Sequence, residues 1–302
     1  MRRDPERTLQ LDRSERAFRY YRNAVERHWD PATIDLTNDA DGLVAMARED
    51  EEYFDQFRAA VAKFGAGEQA VTEDLAPLAV VLDDPESEMF VTTQLYEEAK
   101  HTDFFDRYWR EVVHGVEDEL GLDRSSPTEN RWFNDEYDEL FDRNDAAMQR
   151  LLTDDTPENR AKAFCHYHLT VEGILAQTGY YGLQRAYGPE NETLPHLPGL
   201  VEGLDYIRRD EGRHVGFGMA MLKGLVADGV DPQLLHETVG ELLPLVDSIT
   251  TDGAEDDGDA PGASPDELRS YASGKHTQRM KQITVASESI PSVDQLTSLE
   301  GD

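Results

Sequence analysis

The chain has 302 residues, with 63 acidic side chains against 29 basic ones and a formal net charge of −34. So negative a molecule repels nucleic acid and anionic membranes, and its six lysines and 23 arginines form no basic patch to offset this. A single cysteine, Cys165, excludes an intramolecular disulfide framework and fits a reducing compartment. The acidity reads as a heavily hydrated surface suited to a very salty cytoplasm, since at molar salt the Debye length falls to about 3 Å and self-repulsion is screened. Met1-Arg2-Arg3-Asp4-Pro5 opens into charged sequence with no apolar signal region, and the most apolar run, Leu75 to Leu82, is short and contains Pro77. A soluble, cytoplasmic protein without membrane insertion is expected.

Helical patterns run over 14–29, 40–81, 86–115, 129–150, 157–187, 199–228, 231–249 and 266–284, with no sustained strand alternation. The chain is expected to be all-α. Asp84-Pro85, Thr156-Pro157 and Asp231-Pro232 each pair an N-cap residue with proline at the first helical position. A break or bend is expected in 40–81 at Gly65-Ala66-Gly67. Residues 1–250 read as one bundle domain and 251–265 as an acidic, Gly/Pro/Ser-containing flexible linker. Residues 266–302 read as a C-terminal helix that docks back on the bundle, followed by a loose tail.

Acid-x-x-His pairs occur three times: Glu98/His101, Glu111/His114 and Glu211/His214. With 63 acids and nine histidines roughly two are expected by chance, so context must separate them. Val91, Leu95, Glu98, His101, Phe105 and Trp109 share one helical face, as do Leu204, Ile207, Glu211, His214, Gly218 and Leu222. Glu68 interrupts a similar stripe of Phe64, Val71, Leu75 and Leu78. A carboxylate buried alone is costly, and a bound metal removes that cost. Glu111 instead shares its face with Arg107 and Asp118 and reads as a solvated surface residue.

Depth agrees. Glu68 lies 16 residues before Asp84 and Glu98 lies 14 after it, level within about 3 Å at 1.5 Å per residue. Glu172 and Glu211 flank the connection from Gly188 to Pro198 at similar distances. Glu68, Glu98/His101, Glu172 and Glu211/His214 can therefore meet. Single glutamates from two helices with a Glu-x-x-His from each of two others form the ligand set of ferritin-like di-metal carboxylate proteins. The expected architecture is a ferritin-like four-helix-bundle core with additional helices. Such ligands suit iron and manganese, and ligand type alone does not choose between them. Cys165, His166 and His168 read as core or supporting residues beside a complete set of six.

Gly67-Glu68-Gln69-Ala70-Val71-Thr72, Glu98/His101, Tyr167 five residues before Glu172, and Glu211/His214 together resemble the R2-like ligand-binding oxidases, relatives of the ribonucleotide reductase small subunit. The resemblance covers about residues 14–250 plus the terminal helix. It implies an O2-activating oxidase with a mixed Mn/Fe centre (or di-iron), a bound long-chain fatty acid, a tyrosine–valine ether cross-link and a homodimer. It also implies that Glu68, Glu98 and His101 hold the first metal, Mn, and that Glu172, Glu211 and His214 hold the second, Fe, with Glu98 bridging. Val71 and Tyr167 would be the cross-linked pair. Val71 lies three residues from Glu68, on the same face, and offers a weak tertiary C–H.

Three other readings stay open. A ribonucleotide reductase small subunit shares the ligands and fold, but the position four after His101, where that family usually has a radical tyrosine, is Phe105, and the extreme C-terminal tail has no tyrosine. A di-iron monooxygenase and a non-enzymatic metal or fatty-acid binding protein also share the ligand set.

Overall fold

The computed structural model describes residues 11–252 and 262–296. In chain order its α-helices are α1 (Arg16–Glu26), α2 (Asp39–Glu49), α3 (Glu51–Asp74), α4 (Ala76–Val81), α5 (Pro85–Tyr108), α6 (His114–Leu120), α7 (Asp135–Arg150), α8 (Pro157–Phe164), α9 (Gln177–Tyr187), α10 (Pro198–Ala227), α11 (Pro232–Thr250), α12 (Pro265–Thr284) and the short α13 (Val293–Leu296). Two π-helical stretches carry the chain on without interruption: Trp109–Val113 joins α5 to α6, and Cys165–Ala176 joins α8 to α9. No strand occurs among the described residues, and no helix there is long and apolar enough to cross a membrane.

The starts follow local chemistry. Asp84, Thr156 and Asp231 each accept a backbone N–H in the first turn of α5, α8 and α11, with proline just inside. Ser264 and Glu267 close a capping box on α12.

The expected break at Gly65-Ala66-Gly67 does not occur. Instead α3 runs through uninterrupted, and the 40–81 pattern breaks at Asp50, whose side chain caps Glu52, and again at Leu75 ahead of Pro77. Gly67 serves close packing: a Cβ there would lie 3.3 Å from the Tyr137 hydroxyl, which donates to the Lys63 carbonyl at 2.8 Å. The 129–150 pattern is also shorter than expected, because Asn130–Trp132 forms a 3₁₀ turn before α7.

Four long rods make the core: α3, α5, the continuous helix 157–187, and α10. Each passes from one apolar cluster into a second. On α3, Phe57 and Val61 belong to one and Val71 to the other. On α5, Phe90 and Val91 give way to Phe104 and Phe105, and on α10, Leu204 and Ile207 give way to Phe217 and Leu222. The 157–187 helix changes between Ile174 and Tyr180. The crossing level is where Glu68, Glu98, Glu172 and Glu211 sit, so the bundle places a polar layer between two apolar ones. From α12, Met280 and Ile283 are buried in the cluster that holds Val71 and Phe90. Of the expected linker, residues 253–261 lie outside the described residues, as do 297–302 of the expected tail.

Candidate metal centre

All six side chains picked out by spacing are buried at this crossing level, from 0% exposed for Glu98, His101 and His214 to 5% for Glu68. They form two overlapping groups, Glu68/Glu98/His101/Glu211 and Glu98/Glu172/His214, with donor atoms within 4.8 Å of one another in each. Glu98 belongs to both. Its Oε2 lies 3.3 Å from His101 Nδ1 and its Oε1 lies 3.0 Å from His214 Nδ1. Glu211, expected with the second group alone, stands between the two: Oε1 is 3.6 Å from His101 Nδ1 and Oε2 is 3.7 Å from His214 Nδ1. Glu68 Oε2 is 3.3 Å from His101 Nδ1, and Glu172 Oε1 is 3.4 Å from His214 Nδ1.

The electrostatics are those of an acid cluster held out of water. Burial pushes Glu68 up. Burial together with the Glu211 charge pushes Glu172 well up, and burial together with the Glu98 charge pushes Glu211 up to about 7. Burial acts the same way on Glu98, but the neighbouring His214 and His101 overcome it and hold that carboxyl well below its usual range. Both histidines are driven well above theirs by surrounding carboxylates, against the pull of burial. Glu98 Oε2, Glu172 Oε2 and Glu211 Oε2 are buried without a hydrogen-bond partner among the described residues, although buried polar atoms are normally satisfied. Three orphaned carboxylate oxygens aimed into one dry layer fit a cation site, and the oxygen-rich donor set with two imidazoles fits a pair of divalent transition metals.

Tyr167 is fully buried, and its hydroxyl is 3.3 Å from Glu98 Oε1 and 3.4 Å from the Val71 carbonyl oxygen. Burial and then the neighbouring carboxylates, Glu98 foremost, hold its phenol protonated well above the usual range. Val71 is buried as well. The π-helical stretch makes this placement possible. Residues five apart on an ordinary helix point about 140° apart, whereas a stretch with i→i+5 bonding brings Tyr167 and Glu172 onto one side.

Apart from His168, expected as a core or supporting residue, the groups that support the ligands were not picked out from spacing. Tyr180 donates to Glu68 Oε1 at 2.6 Å, and Gln94 donates to Glu172 Oε1 at 2.8 Å. His168 packs behind Gln94, with Nε2 3.3 Å from its Oε1; burial pushes its imidazole down to about 3, so it is a neutral supporting group. The acid before each Glu-x-x-His backs the histidine of the other helix: Asp210 Oδ2 lies 3.2 Å from His101 Nε2, and Glu97 Oε2 lies 2.9 Å from His214 Nε2. Arg213 binds Glu97 and Asp210 together. A sequence signal for this existed. Glu97-Glu98-Ala99-Lys100-His101 and Asp210-Glu211-Gly212-Arg213-His214 repeat one order of acid, Glu, small residue, base and His.

The remaining candidates lie elsewhere. Glu111 is exposed and paired with Arg107 at 2.7 Å, and His114 Nε2 lies 3.1 Å from the Ser125 carbonyl. Cys165 is buried, and burial pushes its thiol well up, making it inert.

Behind Glu68, Glu98, Glu172 and Glu211 a cavity of about 390 Å³ extends between α3, the 157–187 helix and α11, lined by Phe64, Phe141, Leu175, Leu183, Ile249 and Leu268 among others. Lys63 and Asp252, which also line it, are ion-paired at 2.6 Å.

Residues 13–273 match the family model described as ribonucleotide reductase, small chain. Among solved structures, the chain is similar to R2-like ligand-binding oxidase with aerobically reconstituted Mn/Fe cofactor (long soak). Identity is 30%, the match covers 94% of this chain and 98% of that one, and the TM-score is 0.79. It is similar, at 31% identity, to a valine-to-leucine mutant of that oxidase with anaerobically reconstituted Mn/Fe cofactor, over 90% of this chain and 95% of that one, TM-score 0.75. A glycine-to-leucine mutant with aerobically reconstituted Fe/Fe cofactor matches at 30% identity over the same shares, TM-score 0.76.

Proposed function

The chain belongs to the ribonucleotide reductase small-chain family, and on that footing we propose that it is a dinuclear metal oxidase of the R2-like ligand-binding kind. The reading rests on one observation above others: six buried ligands at a single level, three of them with an orphaned carboxylate oxygen, and a phenol between Glu98 and Val71. Glu68, Glu98 and His101 would hold one ion, and Glu172, Glu211 and His214 the other, with Glu98, which reaches toward both histidines, available to both. The place of Glu211 between the two histidines suits a second shared carboxylate. Charge supports two divalent ions. Glu97 and Asp210 are offset by Arg213 and Lys100, which leaves the four inner glutamates, a formal charge of −4, for two doubly charged cations to neutralise.

When bound, a manganese–iron or di-iron pair supplies the electrons and the oxidising power for work on O2. The chain's own residues set what is oxidised. Tyr167 keeps its proton near Glu98 and holds its oxygen beside Val71. In the cross-link the Val71 Cβ–H and Tyr167 O–H bonds break and a Cβ–O ether forms. The two protons and two electrons released would pass to O2, and its full reduction to water would need two more electrons, which a metal pair can supply, and two more protons from solvent. The largely apolar walls of the cavity suit a long acyl chain, with its carboxylate toward the metals. Phe105, buried and stacked on Phe64 with centroids 5.5 Å apart, offers no phenol for a stored radical, and the pairing of Tyr167 with Val71 is what favours the oxidase over a reductase subunit. A homodimer in a salt-adapted cytoplasm, with residues 1–250 as the metal domain, completes the reading.

Aerobic loading with manganese and iron should lower the intact mass by two hydrogens and join the Val71 and Tyr167 peptides. Tyr167→Phe should bind both ions and keep its unmodified mass. An unchanged wild-type mass would remove the cross-linking oxidase. Lipid extraction followed by mass spectrometry checks the acyl ligand.

A further inference from the structure

The two repeated pentapeptides face each other across the site, and each lends its leading acid to the other's histidine. The exchange is unequal. Asp210 Oδ2, the oxygen that meets His101 Nε2 at 3.2 Å, also accepts Trp29 Nε1 at 2.8 Å and Lys100 Nζ at 3.0 Å. Its other oxygen takes Arg213. Across the site, Glu97 Oε2 meets His214 Nε2 at 2.9 Å and its other oxygen takes Arg213. Arg213 is therefore common to both carboxylates, while Lys100 and Trp29 are added on one. All of these groups are buried: Lys100 is 5% exposed, Asp210 and Glu97 are 1% each, and Arg213 is 0%.

We infer that Lys100, with Trp29, makes the two metal positions unequal by drawing charge from the carboxylate behind His101, which leaves His214 the stronger donor. This rests on the dinuclear reading above. A carboxylate hydrogen-bonded to the far nitrogen of a ligating imidazole raises its basicity. An oxygen already shared with an ammonium and an indole N–H accepts more weakly from a third donor; the contact to His101 is 3.2 Å, against 2.9 Å between Glu97 and His214. The position beside His214 therefore binds the more tightly coordinating ion. Between the two metals of this family that ion is Fe(II), which exceeds Mn(II) at a site of given nitrogen and oxygen donors. Lys100 and Trp29 are specificity-determining residues that act through Asp210 and touch neither metal.

The test is anaerobic loading of the full chain with equimolar Fe(II) and Mn(II), followed by diffraction at both metal absorption edges to read the occupancy of each ion at each position. Wild type should place iron preferentially beside His214. Lys100→Met should lower that preference by about 10-fold, the scale on which partners behind a ligand act. Trp29→Phe, which removes a donor but no charge, should move the partition the same way by less, and it keeps the question answerable if Lys100→Met does not fold. An even partition in wild type, or a wild-type partition in the folded variants, overturns the inference. Wild type that never takes up two ions instead sinks the dinuclear reading itself.

Discussion

Glu98 offers one oxygen toward each histidine, so its removal opens both halves of the site together. Glu98→Ala should retain neither ion by elemental analysis, whereas Glu111→Ala, on a pair that looks alike in sequence but lies in solvent, should retain two. Away from the centre, Asp74 at the end of α3 is pushed up to about 6, mainly by burial, although Asn144 donates to it at 2.6 Å. The folded state therefore favours the protonated acid. Its contribution to stability is fully present below the unfolded carboxyl range near 4 and is lost as pH rises through about 6. Asp74→Asn keeps an acceptor for Asn144 and cannot ionise. It should match wild type in urea denaturation at pH 4 and exceed it at pH 8, by about 1 kcal/mol once partial solvent screening is allowed for.

Among the elements, the helix from 157 to 187 departs furthest from a regular pattern. Its π-helical stretch turns Tyr167 and Glu172 to one side, and it leaves the His168 ring pressed against α10. Gly218 makes room for that ring: a Cβ there would lie 2.3 Å from His168 Cβ. Gly218→Ala must push the two rods apart. It should cost about 1–3 kcal/mol, the usual penalty of overpacking, and weaken metal retention by shifting Glu172 and His214 relative to each other. A thermal melt and a chelator-challenge assay on the same sample check both. An unchanged melt would mean that the two rods separate at no measurable cost, because the closest atom, His168 Cβ, cannot rotate away.

For the whole molecule, the excess negative charge is the dominant long-range force. The exposed arginine–acid pairs, such as Arg22–Glu26 and Arg143–Glu139, each contribute little and cannot offset a net −34. Raising KCl from about 0.1 M to 1 M, which cuts the Debye length from about 10 Å to about 3 Å, should raise the melting temperature progressively. A melting temperature that falls with salt would show that the surface pairs outweigh the repulsion and would remove the salt-adapted reading. The polar layer should respond little, because it is enclosed by the two apolar clusters.

Sequence by itself determined the all-α class, the helix starts at Asp84, Thr156 and Asp231, and the six acids and histidines that meet, because capping and a 3.6-residue period are local properties of the chain. It also set Glu111/His114 apart, since the company a carboxylate keeps on its own helix face decides whether it meets water. Tertiary structure alone decided which acid backs which histidine: the doubled Glu97-Glu98 and Asp210-Glu211 are visible in the chain, but their partners lie on another rod. It decided the register shift that aligns Tyr167 with Glu172, and the unbroken run of α3 past Gly65 and Gly67, where aromatic neighbours pack close against the glycines. These depend on what surrounds a helix, and no spacing within one helix contains that information.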